Sequence, residues 1–166
     1  MIRPLLQALV RRVRQNHALE HATMHMLAGR AGGGRLAGCT VADGFVLLGP
    51  VRTADVQGAV SRALIGLRRD PSLAVHPRCG TNLVALYVLA AGLVAFGARQ
   101  RARGARAWIW RGAAIASAAL LARPAGLWAQ RHITTTGRVE RVSVGAVRRF
   151  RFGSVVIHHV ATRDAD

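Results

Sequence analysis

LVALYVLAAGLVAFGA, residues Leu83–Ala98, contains no charged side chain. A second run, AWIWRGAAIASAALLA at Ala107–Ala122, contains a single arginine. Each approaches the ~17–25 residues that a helix needs to cross a bilayer. Trp108, Trp110 and Trp128 fall near the ends of the second run, where aromatic belts meet lipid headgroups. Arg111 is close enough to one end to snorkel. A chain of 166 residues has too little protein to surround two such helices, so the pair reads as a transmembrane hairpin over residues 82–130. Composition agrees. The chain is 51% hydrophobic with a net charge of +17, and its mean hydropathy is +0.23. Those values coexist only if apolar residues and charges are segregated along the chain, as they are.

Outward from the hairpin the pattern is α+β. Residues from about Pro4 to Leu27 have helical periodicity, with Leu5, Leu6, Leu9, Val10 and Val13 on one stripe. Ala31-Gly32-Gly33-Gly34 is expected to stop this helix. A hairpin follows, with strands around Leu36–Val41 and Phe45–Leu48 joined at Ala42-Asp43-Gly44. Thr53 to Arg68 reads as an amphipathic helix with Thr53 as N-cap and Val56, Val60, Leu64 and Leu67 inward. Leu73 to Asn82 is expected to be a short strand running into a loop. After the hairpin, Val139–Val147 and Val155–Val160 alternate like strands around Phe152-Gly153-Ser154. The expected organisation is an N-terminal α+β metal-site region (1–81), the membrane hairpin (82–130) and a C-terminal β segment (131–166). The first and last are expected to assemble into one small domain.

The chain contains no lysine, so its 24 basic residues are all arginine. They are dispersed, and no helix-turn-helix, zinc-finger or RNA-binding signature accompanies them. Attraction to anionic lipid headgroups accounts for the charge more simply than nucleic acid does. Cys39 and Cys79 are the only cysteines, which gives no disulfide framework. The N-terminal apolar stretch is shorter than the ~7–15 residues of a signal-peptide core, so the first spanning segment is expected to direct insertion. Integral placement in a bacterial cell membrane is expected, with both termini on one side, the cytoplasmic side being favoured.

The chemistry concentrates in His17-Ala18-Leu19-Glu20-His21, an H-x-x-E-H pattern. On a helix, His17 and His21 sit one turn apart with Glu20 beside them. Two neutral imidazoles at that spacing can chelate one Zn²⁺, leaving the carboxylate to act on water. Only two glutamates occur in the chain, Glu20 and Glu140. The rival reading is a polar helix face whose histidines make ordinary hydrogen bonds. A catalytic zinc takes three protein ligands, and the third is expected from His76-Pro77-Arg78-Cys79-Gly80-Thr81-Asn82. Cys79 is the first choice and His76 the second; a packed cysteine and a strand-capping histidine are the plain alternative. His25 extends the histidine row, but three residues at i, i+4 and i+8 span ~12 Å, too far for one ion. His25 is expected to support rather than ligate. Cys39 is expected to be a buried strand residue.

Asn16-His17-Ala18-Leu19-Glu20-His21-Ala22-Thr23, followed by His76-Pro77-Arg78-Cys79-Gly80-Thr81-Asn82 and a hydrophobic hairpin, resembles an uncharacterised bacterial membrane-protein family with the same signatures in the same order. That resemblance covers nearly the whole chain and implies its architecture. A more distant similarity is to pitrilysin/insulysin-type zinc peptidases, in which both histidines of H-x-x-E-H bind zinc and the glutamate is the general base. It implies His17 and His21 as ligands and Glu20 as base. Those peptidases take their third ligand from a distant glutamate and enclose substrate in a two-domain chamber. Here the only other glutamate, Glu140, lies beyond the hairpin.

The expected function is a membrane-associated zinc-dependent hydrolase, with a peptide or protein as candidate substrate. The alternative is a non-catalytic membrane protein with a structural metal or an interaction role.

Overall fold

The computed structural model describes residues 2–28, 36–99 and 104–164. The Ala31–Gly34 helix stop and the centre of the Arg99–Arg106 connection lie outside them. The described chain is α+β and divides into two units, residues 1–76 with 131–166, and residues 77–130.

The first unit opens with helix α1 (Ile2–Leu27), whose Pro4 sits in the first turn, where its missing N–H costs nothing. Strands β1 (Ala37–Val41) and β2 (Gly44–Leu48) form the expected hairpin, with Val41 paired to Gly44 across the turn. Gly44 has φ +155°, and a Cβ there would run into the Val160 carbonyl of a neighbouring strand. Helix α2 (Thr53–Arg69) buries Val56, Ala59, Val60, Ala63 and Leu67. Arg52, not Thr53, is its N-cap, since the backbone is still extended at Arg52 (φ −77°, ψ 144°) and helical from Thr53; the Thr53 hydroxyl instead lies 3.2 Å from His158 Nε2. Residues Pro71–Ala74 form a 3₁₀ turn rather than the expected strand. Asp70 explains the difference: its side chain accepts the Ser72 N–H at 2.9 Å, and Pro71 fixes the first φ.

Strands β3 (Val142–Phe152) and β4 (Val155–Asp164) complete an antiparallel sheet of order β1-β2-β4-β3. Because β4 pairs with β2, the sheet joins sequence from both sides of the apolar segment, with Phe45 opposite Val160. Its core contains Leu19, Leu27, Phe45, Leu47, Leu67, Val139 and Val160.

The second unit is a helical hairpin of α3 (Thr81–Arg99) and α4 (Ala105–Ala129). Both helices are long and apolar enough to cross a membrane. Only 6% of the apolar window of the first is buried and 22% of that of the second, which is unlike core helices of a water-soluble protein. The packing is inverted as well. On α4 the buried residues are Ala114, Ala118, Ala122 and Gly126, one small residue per turn. Large side chains such as Leu83, Tyr87, Ile109, Ile115 and Leu120 point outward. Small residues at the seam are how helices associate in lipid, where apolar burial supplies no drive. Gly97 leaves room for the Trp110 indole, whose Nε1 donates to the Leu93 carbonyl at 3.3 Å. At the other end, Gly126 lets Asn82 approach, and Asn82 in turn accepts from Gln130 and donates to the Pro77 carbonyl.

Candidate metal centre

The second half of α1 is buried almost all round, yet it is polar: Gln15, Asn16, Glu20, His21 and Thr23 are all inside. Such groups are tolerated only when each is matched. Asn16 donates to the Val41 and Ala42 carbonyls and accepts from the Thr162 hydroxyl at 2.6 Å, tying α1 to the β1–β2 turn and to β4. Gln15 donates to the Arg138 carbonyl at 2.8 Å, while its Oε1 is buried without a partner among the described residues.

The ring centroids of His17 and His21 lie 4.3 Å apart, as one helical turn predicts. The Nδ1 of His17 is 3.1 Å from the Thr134 carbonyl, and that of His21 is 2.7 Å from the Ala74 carbonyl. A carbonyl can only accept, so both rings donate from Nδ1, and in the neutral form each has its lone pair on Nε2. Backbone carbonyls behind Nδ1 are the usual outer support of metal-ligating histidines. The 3₁₀ turn that replaces the expected strand supplies one of them. His21 Nε2 is buried and, among the described residues, has no hydrogen-bond partner. A buried unpartnered lone pair costs about 1–3 kcal/mol unless something binds it.

His25 differs. Its Nε2 lies 3.0 Å from the Val75 carbonyl, which places the proton on the opposite nitrogen from that of the other two. The His76 ring lies near both, 5.7 Å from that of His21 and 4.7 Å from that of His25. Cys79 belongs to the other unit, just before α3, where Sγ donates to the Thr81 hydroxyl at 3.2 Å and accepts its N–H at 3.4 Å. Cys39 is exposed on β1 rather than buried as expected. The reason is register: the face of β1 that meets α1 is that of Gly38 and Thr40, both of which contact Glu20, so Cys39 points the other way.

Glu20 is only 6% exposed, and no arginine pairs with it among the described residues. Thr40 donates to its Oε2 at 2.5 Å, and a Cβ on Gly38 would collide with the carboxylate. Burial raises the Glu20 pKa above its ordinary value, opposed by the Thr40 hydrogen bond and by the charge His17 carries when protonated. Gly38, Thr40 and Asn16 therefore shape the site, although all three lie outside H-x-x-E-H and only Asn16 adjoins it. Only the strand alternation that puts residues 38 and 40 on one face could have found them.

A family model described as a domain of unknown function, DUF6391, matches residues 12–147. This chain is a member of the DUF6391 family. A relative in Picosynechococcus sp., itself an uncharacterized protein, is 38% identical over 143 residues, covering 74% of this chain. The match spans 65% of that protein, so the DUF6391 chain accounts for just under two thirds of its relative's length. No solved structure matches the chain significantly.

Proposed function

We propose that this DUF6391 protein is an integral membrane zinc-dependent hydrolase, acting on peptides or proteins, in which Glu20 is the general base. The observation that carries the reading is the buried, unpartnered Nε2 of His21 beside a His17 of the same tautomer. Such a donor pair suits Zn²⁺, and His17 and His21 would hold it through Nε2. Cys79 is the proposed third ligand and His76 its substitute. Three residues of chain carry Cys79 no further than ~11 Å from His76, and once the Sγ proton is displaced by the metal, the Thr81 N–H would remain to support the thiolate. The ion supplies Lewis acidity for hydrolysis.

Glu20 supplies the proton chemistry. Thr40 fixes Oε2, and the carboxylate would take the proton from water. Its raised pKa moves the carboxylate towards the range in which general bases work near neutral pH. The two apolar helices are the proposed anchor in a bacterial cell membrane, with both termini on the cytoplasmic side. Elemental analysis of the detergent-purified full chain tests the site. About one equivalent of zinc is expected, lost in His17→Ala and His21→Ala. Glu20→Gln should keep the metal and lose ~10²–10⁴-fold in hydrolysis. Undiminished zinc in both histidine variants would remove the site, and four protein ligands around the ion would make it structural.

A further inference from the structure

Ile2, Leu5, Leu6, Leu9 and Val10 lie on one face of the first turns of α1, and each is between 47% and 82% exposed. The spacing i, i+3, i+4, i+7, i+8 makes them a continuous stripe rather than scattered surface residues. Contiguous exposed apolar surface of this kind marks an interaction face. Its border is cationic. Arg3, Arg14 and Arg11 follow along one side, and no acidic residue precedes Glu20 in the sequence. Beside the stripe lies a cavity of about 410 Å³, lined by Leu6 and Val10 and by the guanidinium-bearing Arg11, Arg14 and Arg138. Arg14 is held in place there by the Thr135 and His132 carbonyls, at 2.9 and 3.1 Å.

We infer that the first half of α1 lies in the surface of an anionic phospholipid bilayer, with the stripe among the acyl chains and the bordering arginines on lipid phosphates. An apolar face edged by cations is the pattern of an interfacial helix. Charge decides against a second copy of this chain, since a self-complementary contact would set these arginines against their own equivalents. The inference rests on the reading of α3 and α4 as spanning helices, which brings the chain to a bilayer. It adds a second, in-plane attachment next to the proposed metal centre, because the same helix continues into His17 and His21. Substrate at the membrane surface would then meet the site at a fixed height.

Nitroxide depth measurement on the full chain tests it. Labels are placed by Leu6→Cys and Leu9→Cys on the stripe and by Ala8→Cys on the opposite face. All are made in a Cys39→Ser background, with the signal of the unsubstituted background subtracted. The proteins are reconstituted in nanodiscs of phosphatidylglycerol and phosphatidylcholine, or of phosphatidylcholine alone. In anionic discs, labels 6 and 9 should favour oxygen over a water-soluble nickel complex and report a depth of about 5–10 Å below the phosphates. Label 8 should remain open to nickel, and the depth at 6 and 9 should decrease in neutral discs. Equal nickel access at all three positions would overturn the inference. So would shielding from both collision partners with dipolar broadening between labels, which would reveal a dimer. A depth independent of lipid charge would overturn the role of the arginines. Failure of the chain to enter discs at all would remove the spanning helices too, which separates that failure from the others.

Discussion

At the scale of single residues, the proposed site depends on groups that hold its candidate ligands and Glu20 in register more than on the motif itself. Gly38 is a clear case. It sits in extended β1 with no unusual φ, so its need to be glycine comes from Glu20, whose Cδ would lie 2.7 Å from an added Cβ. Gly38→Ala should displace the carboxylate, cost about 1–3 kcal/mol of stability, and reduce hydrolysis while leaving zinc bound. Loss of zinc in that variant would show that Glu20 holds the metal rather than the proton. His158 makes a second prediction. Burial, reinforced by Arg149 across the strand pair, lowers its pKa below 6.5. The folded state therefore keeps it neutral where the unfolded chain protonates it. Its contribution is complete above 6.5 and is lost as pH falls from there through the depressed folded value. Denaturant titrations of the full chain between about pH 7 and 5 should show His158→Gln losing less stability than the parent. The difference should be no more than about 1.4 kcal/mol per pH unit. Parallel loss in the two would exclude His158 as a contributor.

At the scale of elements, the helices and strands were legible where pattern and turn chemistry agreed. Asp43-Gly44 announced the β1–β2 hairpin, and uninterrupted apolar runs announced α3 and α4, though α4 continues to Ala129 past Pro124. The 3₁₀ turn at Pro71–Ala74 was not legible, because Leu73, Ala74 and Val75 resemble a strand in sequence. The deciding interaction is that of the Asp70 side chain with the Ser72 amide. That turn matters, since its Ala74 carbonyl sets the His21 tautomer. The histidine spacing was readable; the proton on Nδ1 was not, because it depends on carbonyls 53 and 117 residues away in sequence. Within the hairpin, the inverted packing has a direct test. Ala118→Leu inserts bulk into the small-residue seam and should cost about 1–3 kcal/mol, whereas Leu120→Ala, on an outward and 79% exposed position, should cost far less. Unfolding of the reconstituted chain in increasing SDS, followed by helicity, measures both. The reverse order would mean that α4 presents its other face to protein.

At the scale of the whole molecule, the unit carrying His17 and His21 is discontinuous in sequence, and that discontinuity has consequences for assembly. β4 pairs along the full length of β2, Val139, Val142 and Val160 belong to the same core as Leu19, and the Thr134 carbonyl fixes the His17 ring. None of these exists until the chain beyond the apolar hairpin has been made. Non-local pairing of this kind is slow, and until it completes β2 lacks the partner β4 that its buried residues require. Truncation after Gln130 should therefore separate two properties. The apolar helices are retained, so the truncated chain should stay in the membrane pellet after carbonate washing. The sheet loses two of its four strands and Asn16 loses its Thr162 partner, so the remaining residues of that unit should become protease-sensitive. Zinc content should fall well below one equivalent, although every proposed ligand is still present in the sequence. A truncated chain that retains a full equivalent of zinc would show that the ligands organise themselves without the C-terminal strands, and release of that chain by carbonate would show that the two apolar helices do not hold it in the bilayer.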